Sequence, residues 1–288
     1  MALRSNPTLR QLRLGAELRR MREQAGLGGS QLARALGINP AHVTQMESGR
    51  TGISVERLRT IAALCMCVNE PLIEALADII TDRDKRGWWE EYRGRLSQDF
   101  LEIAEIEGPA RGLSTYTMAF VHGLLQTDAY ASAIFARSYP RLPGHEVELR
   151  TAFRLRRQHV IRSGSTPFAA YIHEAALRMQ FSGAKVQAEQ LGALVEASDQ
   201  PNIAIRVVLF DADTIPLPNE NFTYVEGPVE ELDTVQADSG VGNLLFDAPA
   251  HTARFRSLLA QIGSAALSEG ESREFIRTIQ KDMERTHA

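Results

Sequence analysis

Between residues 12 and 25, apolar side chains recur three and four apart, as Leu14, Leu18 and Met21, while Arg13, Arg19, Arg20 and Arg22 occupy the other faces. That period predicts an amphipathic helix. Gly26, Gly28 and Gly29 interrupt it. A short second helix is predicted over 31–36, capped by Ser30, with Leu32, Ala33 and Leu36 inward and Gly37 turning the chain at its end. Asn39-Pro40 is a strong start signal, an Asn cap followed by Pro at the first helical position, so a third helix is predicted over 40–48, stopped by Gly49. Val43 and Met46 face inward on it; Ala41, Thr44, Gln45 and Ser48 share the opposite face, with His42 at its edge. Further helices are predicted from Ser54 and from about Glu70.

After Thr81 the pattern changes. Residues 81–87 are charged and lack core positions, which marks a linker. Beyond them lie Trp88 and Trp89, which either pack the joint against the body or present a partner-binding pair. Helical spacing resumes through Leu101, Ile103 and Ile106. Strand patterns cover 115–121, 168–173, 202–210, 221–226, 233–238 and 243–246. Helical patterns open at Thr127 and cover 146–162, 184–197, 250–266 and 269–285. The expected fold is α+β overall: an all-α five-helix head over 1–80, a linker over 81–87, and an α+β body over 88–288 with a mixed or antiparallel sheet.

Composition fits two soluble domains: 288 residues, 44% hydrophobic and 24% charged. No apolar run approaches the ~18–20 residues of a membrane span, and the Arg-bearing N-terminus lacks the apolar stretch of a signal peptide, so a cytoplasmic chain is expected. Cys65 and Cys67 suit a reducing compartment and read as small core thiols rather than metal ligands. The net charge of −4 hides an asymmetry, for residues 1–60 carry ten Arg against four Glu. A basic head on an acidic body points to nucleic-acid contact at one end.

Two short helices joined by a glycine turn, within a basic all-helical unit, describe a helix-turn-helix. QLARALGINPAHVTQMESGR, with LRRMREQAGL before it, resembles the Cro/phage-repressor (XRE-like) family over residues 12–78. The resemblance implies that the third helix enters the major groove. Pro40 and Ala41 then touch a thymine methyl, Gln45 pairs with adenine, and Thr44 reads either base type. His42, Ser48 and Arg50 hold phosphates, as do Arg19 or Arg22 on the first helix; Asn39, the cap, is counted with this set. The family's Ser-Gln at the start of the second helix is replaced by Gly28-Gly29, and Ser30 and Gln31 are expected to substitute for it. One such module reads only a few base pairs, so a homodimer on a palindromic operator is expected.

The body segments WWEEY, HGLLQTDAYA, RLRRQ, HEAALR (173–178), NIAIRVVLF, FTYVEG and ALSEGES resemble actinobacterial regulators of the WhiJ-like group, which fuse an XRE head to a domain of uncharacterised function. Here His122 stands where the group has Pro, and the stretch after Val225 is more acidic. The resemblance implies a transcriptional regulator, antitoxin-like, that often acts with a small partner protein. His173-Glu174 opens like a zinc-protease motif, but Leu177 occupies the second His position. The RLRRQ cluster at 154–158 reads as a packed helix with an Arg face rather than a nucleic-acid arm. Ser239–Gly242 is a weak phosphate cradle, and the acidic residues from Asp211 to Asp238, Asp213 and Glu220 among them, read as hairpin loops or a site for a cation or basic partner. No catalytic residue, metal site or cofactor is expected; an enzyme would have to use His122, His173 and Glu174.

Overall fold

The computed structural model describes residues 7–81, 87–212, 221–239 and 242–286. Most of the expected linker, Asp213 and Glu220 of the acidic run, and the middle of Ser239–Gly242 lie outside the described residues. The chain forms two compact units: one reaches to Pro109 and includes Pro228–Leu232, the other comprises Ala110–Gly227 and Asp233 onward.

The first unit begins with five helices, α1 (Leu9–Gln24), α2 (Gly29–Ala35), α3 (Pro40–Glu47), α4 (Val55–Leu64) and α5 (Glu70–Thr81), as the pattern predicted. Their inward stripes merge into one core containing Leu14, Leu18, Leu32, Val43, Met46 and Leu58. Cys65 is a buried free thiol in that core, and burial raises its pKa. The unit continues past the expected linker. Trp88–Tyr92 form a short 3-10 helix, and α6 (Gln98–Glu107) packs on α1, where the Arg10 N–H donates to Glu105 at 3.1 Å. Both tryptophans therefore lie in the first unit, and a Cβ at Gly108 would stand 3.2 Å from the Trp89 ring. The β4–β5 connection also contributes here. Leu232 is 7% exposed in the helical core, Val229 packs against it, and Asn69 Nδ2 donates to Glu231 Oε1 at 2.6 Å.

The second unit is α+β. In chain order it holds β1 (Gly112–Thr117), α7 (Asp128–Ala136), α8 (Gly144–Arg157), α9 (His159–Arg162), β2 (Phe168–His173), α10 (Glu174–Arg178), α11 (Ala184–Ala197), β3 (Ile203–Val208), β4 (Phe222–Glu226), β5 (Thr234–Ser239), β6 (Gly242–Phe246), α12 (Pro249–Ala265) and α13 (Glu269–Thr286). The six-stranded sheet runs β3-β2-β1-β4-β5-β6; β1, β2 and β3 are parallel and the other pairings antiparallel, so it is mixed. One face carries Tyr116, Phe222, Tyr224 and Val235 against Leu259 and Ile262 of α12. The outer edge of β3 is closed, because Val207 O accepts from the Leu267 N–H and the Val207 N–H donates to Ser272 Oγ.

Two predicted elements are corrected. The strand expected at 115–121 is β1 at 112–117; the Met118 N–H leaves the ladder for Asn221 Oδ1 (2.8 Å) and the Val121 N–H for the Tyr130 hydroxyl (3.3 Å). The single helix expected over 146–162 is broken at Gln158, whose side-chain amide donates to the carbonyls of Gly123 (3.0 Å) and Gln126 (2.7 Å).

Candidate nucleic-acid interface

The α2–α3 pair sits as a helix-turn-helix requires. Gly37 (φ +64°) makes the turn in a conformation costly for any other residue. Asn39 Oδ1 accepts from the Ala41 N–H at 2.8 Å and Pro40 follows in the first helical turn, the predicted start. Val43 and Met46 are 2% and 3% exposed, which turns the opposite face of α3 outward. On that face Ala41 and Thr44 are exposed and Gln45 is half-buried with its side chain uncommitted. His42 is half-buried beside them; the Ser48 hydroxyl donates to Gln45 O at 3.3 Å, and Arg50 is exposed just past the helix. The structure thus brings Pro40, Ala41, His42, Thr44, Gln45, Ser48 and Arg50 together on and just past one helix. Asn39 joins them with its carbonyl oxygen already used in the cap.

At α2 the expectation changes. Gly28, not Ser30, is the N-cap residue, and Ser30 lies inside the first turn, exposed. Gln31 is exposed, and its Oε1 accepts from the Gly28 N–H at 2.5 Å, so part of its side chain satisfies the helix end. A glycine cap has no side-chain acceptor, and the residue three positions on supplies the remaining half of a capping box.

What holds α3 in place was not foreseen. Arg22 on α1 grips Glu47 at the end of α3 with two bonds, Nε to Oε1 at 2.6 Å and Nη2 to Oε2 at 3.0 Å, and its Nη1 donates to Leu27 O at 2.8 Å. The Glu47 hydrogen bonds raise the Arg22 pKa. Arg22 is thus committed to the α1–α3 contact, and Arg19 is paired with Glu23 at 2.7 Å. Beside this pair α1 touches α3 directly: a Cβ on Gly15 would lie 2.4 Å from Glu47 O and 2.8 Å from Met46 O. A glycine in mid-helix between Leu14 and Leu18 was the one sequence signal of that approach. Gly49 (φ +68°) closes the other side of the seat, 2.8 Å from Gln11 O by the same measure.

Residues 13–76 match a family model described as a helix-turn-helix domain, the architecture of DNA-binding regulators. Residues 100–278 match the family described as a domain of unknown function, DUF5753. The chain belongs to the DUF5753 family. No curated protein and no solved structure gives a match.

The DUF5753 region does not gather the histidines. His122 Nδ1 accepts from the Leu124 N–H and Nε2 meets Thr223 Oγ1 at 3.2 Å; desolvation, then the charges of Arg157 and Arg154, hold its pKa well down. His173 caps α10 through Nδ1 and stacks edge-on with Phe210, while Glu174 pairs with Arg178 and accepts from the Phe210 N–H. His122 thus has partners of its own, while His173 and Glu174 share Phe210. In RLRRQ, Arg154 donates to Gln126 Oε1 and lies 4.1 Å from the Phe135 ring centre, and Arg157 is buried, as a packed helix requires. Among the described residues no group of three or more His, Cys, Asp or Glu is arranged to hold a metal, and no helix is long and apolar enough to cross a membrane. An open groove of about 700 Å³ lies at the amino ends of β1, β2 and β3, lined by Ser114, Ala169, Ala204 and Glu226.

Proposed function

We propose that the protein is a sequence-specific transcriptional regulator of the XRE type that binds a palindromic operator as a homodimer, with a non-catalytic body that senses a ligand or partner protein. The observation that carries the reading is the outward face of α3, with Ala41, Thr44 and Gln45 presented together over a rigid seat on α1. Gln45 reads adenine by a bidentate amide contact, worth about 1–3 kcal/mol per correct base. One α3 covers too few base pairs for specificity, so two copies act together. Leu64, Met66 and Val68, 37%, 76% and 94% exposed at the turn between α4 and α5, supply apolar surface for that association. The 700 Å³ groove is of the size small ligands occupy and supports the sensing role. The WhiJ-like resemblance of the body supports a second reading, in which it chiefly binds a small partner protein in the manner of an antitoxin.

The test is binding to a palindromic promoter fragment against random DNA across a salt series. Gln45→Ala should lower operator affinity about tenfold with little change on random DNA. Equal affinity of the unsubstituted protein for both DNAs would end the regulator reading.

A further inference from the structure

The connection between β4 and β5 is divided between the two units: its neck belongs to the second and its tip, Pro228–Leu232, to the first. The neck is fixed by one side chain. Asp233 is 6% exposed; its Oδ1 accepts from the Gly227 N–H at 2.9 Å, and its Oδ2 accepts from the Tyr224 hydroxyl and from Arg256 Nη2, the latter at 3.0 Å. Arg256 also donates to the Tyr224 oxygen at 2.8 Å. Both ends of the five-residue tip are therefore held at a set separation by a charge-assisted network centred on the buried Asp233 carboxylate, with Arg256 half-exposed at its rim.

The tip is equally committed within the first unit. Leu232 belongs to the core that contains Val43 and Met46, the inward side chains of α3. Glu231 receives Asn69 Nδ2 on its carboxylate, while its backbone carbonyl accepts from Arg13 Nη2. Asn69 in turn accepts the Leu72 N–H with its own carbonyl and so fixes the start of α5. Arg13 lies two positions from Gly15, the point at which α1 meets the backbone of α3. A displacement of the tip thus removes a core side chain and a bond to the helix that seats α3.

We propose that Pro228–Leu232 is a coupling element, through which the body sets the DNA affinity of the helix-turn-helix, and that Asp233 is the positioning residue that holds it engaged. This rests on the regulator reading above. An effector acts through it by shifting β4 against β5 or by competing for Asp233, which releases the tip. Coupling of this kind is reciprocal: if release of the tip weakens operator binding, operator binding must hold the tip in place by the same factor.

The experiment uses the full chain, a palindromic operator duplex and a glutamate-specific protease. Glu230 and Glu231 supply cleavage sites inside the tip. Asp233→Ala should expose them to cleavage and weaken operator binding about tenfold. Asp233→Asn, which keeps the Oδ1 acceptor for Gly227, should restore much of both. Operator DNA, but not random DNA, should slow cleavage at the tip of the unsubstituted protein. Should Asp233→Ala fail to fold, Glu231→Ala, which removes only the Asn69 contact, tests the same link by operator affinity and by cleavage after Glu230. A tip released without loss of operator affinity, or an operator that leaves cleavage unchanged, overturns the coupling and leaves the regulator reading intact. Failure of the unsubstituted protein to prefer operator over random DNA overturns both.

Discussion

Gly15→Ala sets two effects of opposite sign against each other. In a helix interior alanine is favoured over glycine by about 1 kcal/mol, so a reading of α1 alone predicts stabilisation. The new Cβ would stand 2.4 Å from Glu47 O, 2.8 Å from Glu47 C and 2.8 Å from Met46 O, all backbone atoms of the last turn of α3. Carbon and oxygen cannot approach below about 3 Å, so the helices must part by roughly 0.5–1 Å, and overpacking of this kind costs about 1–3 kcal/mol. The neighbouring Arg22–Glu47 bonds resist that separation. A net loss of about 1–2 kcal/mol is therefore expected. The assay is urea unfolding followed by tryptophan fluorescence, because Trp88 and Trp89 are the only tryptophans and both lie in the first unit. Operator affinity should fall about tenfold as well, since hydrogen bonds to base edges tolerate only a few tenths of an ångström. A variant as stable as the parent, with undiminished operator affinity, would refute the seat of α3 on α1.

Glu47→Gln leaves the Arg22 guanidinium only the looser Glu23 pair at 3.6 Å, at a site where Arg22 and Glu47 are 12% and 13% exposed, and should cost about 1–3 kcal/mol in the same unfolding assay; Arg22→Met with Glu47→Leu should recover most of it. Removing a negative charge beside DNA would by itself raise affinity, so a fall in operator affinity for Glu47→Gln identifies a positioning role. Arg34→Ala, Arg50→Ala and Arg57→Ala should each lower the slope of log affinity against log salt by up to about 0.9, whereas Arg22→Ala should leave it nearly unchanged. The His122 pKa is depressed in the folded chain, so the unfolded chain takes up a proton first on acidification: stability should be unaffected above about pH 6.5 and fall below it by at most about 1.4 kcal/mol per pH unit. Circular dichroism melts at pH 7 and pH 5 check this, with His122→Gln expected to reduce the difference and the lowered pKa of His173, whose burial acts in the same direction, accounting for a remainder; an equal difference in that variant would exclude His122 as a source.

The elements most legible in the sequence were those whose signals are local. Asn39-Pro40, Gly37 and Gly49 fix α3 within a turn, and the strand at 168–173 and the helix at 184–197 fall where alternation and helical spacing place them. Errors arose where a side chain overrides its own segment. Asn221 takes the Met118 N–H out of the β1 ladder, Gln158 breaks α8 from α9, and Gln31 supplies the acceptor that the Gly28 cap lacks. Pairings distant in sequence left no trace at all. Nothing in a local window says that Glu47 is the partner of Arg22, or that Leu232 belongs to the core of helices more than 150 residues earlier. The outward face of α3 was readable because it is the complement of Val43 and Met46; the apparatus that holds it was not.

The same distinction alters how an acidic chain can hold a polyanion. Counting residues gives the first sixty positions a strongly basic balance, yet much of that charge is spent inside the unit. Arg13 and Arg20 flank the buried Glu17, Arg19 meets Glu23, Arg22 meets Glu47, and Arg59 meets Glu70. Arg34, Arg50 and Arg57 have no such partner among the described residues, and they fall at the end of α2, just after α3 and in the first turn of α4. Among the described residues, these three positions rather than the arginine total are the ones open to phosphates on the proposed reading. Few phosphate contacts mean modest sequence-independent affinity and a shallow salt dependence. On the proposed reading, a head of this kind gains its affinity from accurate placement of Gln45 and Thr44 and from a second copy rather than from electrostatic capture alone. Placement is what the Gly15 contact, the Arg22–Glu47 pair and the Pro228–Leu232 tip each provide, so control over any one of them is control over DNA binding.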